Sequence, residues 1–110
     1  MSNRIFLSIL LVCFLAPTQA IAYDGLKQDF ATCTQGSGKV ANTIIVKACT
    51  RLIDNAAKQN SLTGYFYALR AIANTDHASN CKDARQALKL LDNPDLIKHA
   101  RTLEKMNCKG

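Results

Sequence analysis

KVANTIIVKACTRLIDNAAK, residues 39–58, is the stretch that decides the fold. Val40, Ile44, Ile45, Ala48, Cys49, Leu52, Ile53 and Ala56 recur along one side of a 3.6-residue period. Lys47, Arg51, Asp54 and Lys58 form the opposite stripe. The β-branched run Ile44-Ile45-Val46 suits a strand, but the periodicity outlasts any ordinary strand. The pattern therefore predicts an amphipathic helix over 39–58.

The same period continues on both sides. Upstream, Asp24 is placed to cap a short helix with Leu26, Phe30 and Cys33 on one side. The turn formers of 34–38 end it. Downstream, Asn60-Ser61 reads as a turn, with Ser61 as N-cap. A third helix follows, with Leu62, Phe66, Leu69 and Ala73 on one face, flanked by Tyr65 and Ile72. Gly64 weakens its first turn. Residues 74–80 form a break, with Asp76 as the alternative cap of an early fourth helix. That helix runs to about Leu91 and turns Cys81, Ala84, Leu88 and Leu91 inward. Asn93-Pro94 starts a fifth, because Asn caps and Pro suits the first helical turn. Ile97, Ala100 and Leu103 are its inward residues, with Met106 following them. Five helices with short connections predict an all-α, up-and-down array of helical hairpins.

The N-terminus carries a different signal. Arg4 precedes an apolar run over 5–15, and Ala20-Ile21-Ala22 places small residues where a signal peptidase reads. Residues 1–22 read as a signal peptide, and 23–110 as a single small domain working in the periplasm or outside the cell. Cys13 leaves with the leader. Cys33, Cys49, Cys81 and Cys108 remain, and an even number in an oxidising compartment predicts two disulfides. Four cysteines allow three pairings. Following the hairpins favours Cys33–Cys49 and Cys81–Cys108. In the second case both residues lie a similar distance from the Asp92-Asn93 turn, which brings them together in a helical hairpin. A small domain of this kind needs such staples.

Several residues together resemble a known family. Cys33, Ser37-Gly38, Ala48-Cys49-Thr50-Arg51 with Ile53, Leu62, Tyr65 and Arg70-Ala71 look like the opening of secreted bacterial tetratricopeptide-repeat proteins. Asp83-Ala84, Ala87-Leu88 and Asn93-Pro94 are similar to the second helix and terminal proline of one repeat. Ala71 stands where the family has glycine, and the chain has room for one full repeat. The resemblance implies a helical binding scaffold with no chemistry of its own.

The residues point away from catalysis. Gly36-Ser37-Gly38-Lys39 lacks the first glycine and the Ser or Thr of a phosphate-binding loop, and no strand precedes it. No C-x-x-C occurs, so neither a thioredoxin-like pair nor a zinc knuckle is suggested. His77, in a turn, and His99, on an exposed helix face, show no metal-ligand spacing. Ser37, Ser61 and Ser79 sit where turns and caps explain them. No catalytic residue, metal site or cofactor is predicted.

The candidate contacts are for a protein partner. Tyr65-Phe66-Tyr67 cannot all face inward, since successive helical residues turn by about 100°. Phe66 belongs to the core; either Tyr67 faces outward with Tyr65 at the edge, near Arg70, or both phenols pack against neighbouring helices with their hydroxyls at the rim. Lys82, Arg85 and Lys89 on the fourth helix, with Lys98, Arg101 and Lys105 on the fifth, form a basic face. The formal charge of +6 falls to +5 without Arg4, which suits an acidic partner. Nucleic acid is excluded by the compartment, and no stable membrane insertion is expected once the leader is removed. The sequence thus predicts an exported, non-catalytic protein-binding module. The alternative is a periplasmic inhibitor or immunity-type protein that blocks a toxin or hydrolase.

Overall fold

A computed structural model describes residues 23–109. The leader reading falls on 1–22, outside the described residues. Within them lie five helices and no strand: α1 Leu26–Gln35, α2 Asn42–Asp54, α3 Ser61–Ala73, α4 His77–Leu90 and α5 Pro94–Asn107. No described helix is long and apolar enough to cross a membrane.

Local chemistry sets the boundaries, and several differ from expectation. Gly25, not Asp24, is the N-cap of α1, in a left-handed conformation (φ 86°) that glycine adopts without steric penalty. α2 is shorter than the 39–58 pattern. At its start, the N–H groups of Lys39 and Val40 bond to the Gly36 carbonyl in a tight turn. At its end, the Asn55 side chain donates to the Arg51 carbonyl at 2.8 Å and stops the helix. Asn60, not Ser61, caps α3. Its side chain accepts from the Thr63 N–H, and the Thr63 hydroxyl faces the Asn60 N–H in a capping box. Ser61 instead donates to Asp92 at 2.8 Å and ties α3 to the α4–α5 turn. Asp76 caps α4, so His77 is the first helical residue rather than part of a turn. Asn93 and Pro94 open α5 as their chemistry dictates.

Every hairpin is antiparallel, and pairwise contacts show it. Cys33 bonds to Cys49, while Asp29, one turn earlier, meets Arg51, further along. Arg70 meets Asp83, and Gly64 abuts Leu90 and Leu91. Cys81 bonds to Cys108, and Arg85 meets Glu104. Both disulfides follow the hairpin order. Each helix touches its first neighbours in the chain, and α3 also touches α1 and α5. α1, α3 and α5 therefore form one layer, with α2 and α4 packed on it. This is an open array, in which the first helix never reaches the last two.

α3 sits at the centre and divides the core. One cluster joins Cys33, Ile45, Ala48, Cys49, Leu52, Ile53 and Phe66. The other joins Ala68, Ala87, Leu91 and Ala100. Tyr67 packs against both. Three of the four residues of the second cluster are alanines, with Leu88, Leu96, Ile97 and Leu103 packed around them, and alanines let helices approach closely. Gly64 takes this furthest: a Cβ there would stand 2.9 Å from the Leu90 Cβ and 3.2 Å from the Leu91 nitrogen. Its role is the close approach of α3 and α4, and the weakened first turn is its helix-propensity cost. Val40, Ile44, Leu62, Ile72 and Met106 are exposed, so the apolar stripes are wider than the core they feed.

Candidate functional site

An apolar groove opens between α1 and α3, with the α2–α3 connection at one end. Its cavity volume is about 590 Å³. Leu52, Thr63 and Phe66 lie buried at its floor, and Leu26, Phe30 and Leu62 stand exposed along its walls. Phe30 meets Phe66 edge to face, with ring centroids 5.9 Å apart. Leu26, Phe30 and Leu62 thus do not join the core face that their spacing suggested. The physical reason lies in α1. It is held to α2 by the disulfide and by Asp29, so its other apolar side faces a gap beside α3.

Asp29 anchors that arrangement. It is buried on a helix whose neighbours are largely exposed. Arg51 clasps it in a bidentate pair, with Nε at 2.8 Å from Oδ2 and Nη2 at 2.7 Å from Oδ1. The Tyr23 hydroxyl adds a third hydrogen bond to Oδ2 at 2.9 Å. The Arg51 hydrogen bonds hold the Asp29 carboxyl below its ordinary range, against the opposing effect of burial. Burial, together with the hydrogen bond and the negative charge of Asp29, pushes the Tyr23 phenol up to about 12. Neither Asp29 nor Arg51 stood out in the sequence as a contact pair. A Cys33–Cys49 bridge does set the register that brings them together, since stepping back one turn from Cys33 in an antiparallel pair means stepping forward from Cys49.

A second, polar pocket of about 340 Å³ opens over α3 between α2 and α4. Arg70 lies in it, with Nε 2.8 Å and Nη2 2.7 Å from the two Asp83 carboxylate oxygens. Its Nη1 also donates to the Thr50 hydroxyl at 3.2 Å, and its guanidinium lies 5.4 Å from the Tyr67 ring centre. The Asp83 hydrogen bonds raise the Arg70 pKa further above its already high ordinary value. Arg70 is therefore engaged within the fold, and Lys82 carries the open charge of this pocket.

The remaining expected contact residues are spread out. Tyr65 is half-buried against the second cluster. Tyr67 is half-buried between the two clusters, the packed alternative rather than the outward-facing one. Arg85 and Lys89 are exposed on α4, and Arg85 pairs with Glu104 of α5 at 3.4 Å. Lys98, His99, Arg101 and Lys105 are exposed on α5. Among the described residues, no group of three or more His, Cys, Asp or Glu side chains is arranged to hold a metal ion.

A scan against protein-family models finds no match, and searches of curated proteins and of solved structures find none either.

Proposed function

We propose that this chain is an exported, non-catalytic helical module that binds a protein partner. The observation that carries the reading is the α1/α3 groove, where Leu26 and Phe30 stand exposed on α1, stapled to α2 by a disulfide, and Leu62 stands exposed on the central helix α3. Fully burying one large apolar side chain is worth about 1.5–3 kcal/mol. A partner covering three of them recovers what folding left in water. The Cys33–Cys49 bridge fixes α1 against α2, which limits the ordering that binding demands of that wall.

Stacked helical hairpins present extended binding surfaces, which is also what the resemblance to tetratricopeptide-repeat proteins implies for this chain. The proposed compartment is the periplasm or the cell exterior. Two disulfides at hairpin-matched positions support it, together with the leader-like pattern of 1–22.

The test is capture of an envelope partner by the oxidised protein, compared with the Leu62→Ser variant. Leu62 is half exposed, so the variant keeps its fold. The expected result is a specific partner that the variant loses. Capture that is equal for both proteins, or that never exceeds background, overturns the reading. For export, the expected N-terminal residue of the protein recovered from the envelope is Tyr23. An intact chain in the cytoplasm with alkylatable thiols overturns it.

A further inference from the structure

The groove has a charge character that its apolar walls hide. Lys27 of α1 and Lys58 of the α2–α3 connection both line it. Among the described residues no carboxylate lines the groove, and neither lysine has an ion-pair partner. Among the described residues, two cations without an ion-pair partner thus flank the apolar strip from separate elements.

Resting on the protein-binding reading, we infer that the groove receives an acidic amphipathic helix of the partner. Its apolar face would lie on Leu26, Phe30 and Leu62, and carboxylates flanking that face would reach Lys27 and Lys58. The backbone decides between a helix and an extended segment. The described residues contain no strand and hence no sheet edge to extend. An extended segment in this groove would set its N–H and C=O groups against apolar side chains, where they find no partners. A helix satisfies its own backbone and offers only side chains. It would also pack on α1 and α3 as a further helix of the array, ridges into grooves.

The test uses two synthetic 18-residue peptides with the same Leu/Ala face. One has Glu at the flanking positions and the other has Lys. Binding to the oxidised protein is measured by fluorescence anisotropy at low and high salt, with palmitate as competitor. The Glu peptide is expected to bind about tenfold more tightly than the Lys peptide, the scale of two exposed ion pairs. That preference should shrink at high salt. The double variant Lys27→Glu/Lys58→Glu should reverse it, and Leu62→Ser should weaken both peptides.

Equal binding of both peptides, or a preference that survives the charge reversal, overturns the acidic character of the occupant. Palmitate saturation without binding of either peptide overturns the helix and assigns the groove to a small amphiphile. The captured envelope partner separates this inference from the reading beneath it. Capture lost in Leu62→Ser but kept in Lys27→Glu/Lys58→Glu preserves protein binding and sinks the acidic helix. Capture insensitive to both variants sinks the two together.

Discussion

Two aspartate–arginine pairs hold the two halves of this array, and they share one bidentate geometry. Asp29–Arg51 joins α1 to α2, and Asp83–Arg70 joins α3 to α4. Both carboxylates are buried, but the arginines differ: the Arg51 side chain is 52% exposed and the Arg70 side chain 21%. The surrounding cores differ in the same direction. The N-terminal half packs Ile45, Leu52, Ile53 and Phe66 and leaves a gap beside them. The C-terminal half packs Ala68, Ala87 and Ala100 around Leu91, beside the bare backbone of Gly64. Small residues let helices close on each other, whereas large ones prop them apart. The approach of α3 to α4 at Gly64 lies in the C-terminal half, and the apolar groove lies in the N-terminal half.

The disulfides give the largest expected effect and the first way to break the comparison. Cys81→Ser should lower stability by about 3 kcal/mol, and Cys33→Ser by a similar amount. The Cys81–Cys108 bridge spans the longer separation, 27 residues against 16, which adds slightly to its loop-closure contribution. Urea unfolding of the oxidised variants measures both. Unfolding midpoints identical with and without reductant would remove the staples from the account.

The ion pairs sharpen it. Arg70→Met strands the buried Asp83 carboxylate and should cost about 2–3 kcal/mol. Arg51→Met should cost less, because water reaches Asp29 once the exposed arginine is gone. Equal losses would show that the two pairs are equivalent despite their different exposure. Gly64→Ala comes next, at about 1 kcal/mol of net loss. Overpacking against Leu90 and Leu91 outweighs the gain in helix propensity. An unchanged or raised midpoint would mean that α3 and α4 have room to separate.

The smallest expected effect is the pH dependence, and it belongs to the N-terminal half. Asp29 titrates below its unfolded value of about 3.9. Its contribution is full above that pH and is lost as the pH falls through the folded-state value. Tyr23 is raised from 10.0 to about 12, so its contribution is full below pH 10 and declines as the pH rises towards 12. The stability difference between the wild type and Asp29→Asn should be flat from pH 5 to 8 and close in acid. A Tyr23→Phe variant should lose the alkaline decline. A difference that stays constant into strong acid would show that Asp29 does not titrate with folding.

Much of this was legible in the sequence, and the particular residues show why. The period through Ile45, Ala48, Cys49, Leu52 and Ile53 needs only local geometry, and those five are the buried residues of α2. Asp76, Asn93 and Pro94 act within one turn of themselves, so their capping roles are written in the chain. The exchange of Ser61 for Asn60 as cap is a one-residue ambiguity between adjacent polar residues, settled by which oxygen reaches the Thr63 N–H. The candidate site was less legible. Arg70 was expected at the surface, but α2 and α4 come up beside it and supply Thr50 and Asp83. Leu26, Phe30 and Leu62 follow the helical period as core residues do, and no periodicity marks a face whose facing helix stands too far away.

The sequence by itself determined five amphipathic helices and their order, and favoured one of the three pairings of the cysteines. Each of these follows from local backbone preference and from hairpins that return the chain beside itself. Only the tertiary structure decided which buried carboxylate meets which arginine, how closely α3 approaches α4 at Gly64, and where the array stays open. Those outcomes depend on distances between helix axes. Such distances are set by the volumes of side chains far apart in the chain, and no local pattern records that sum.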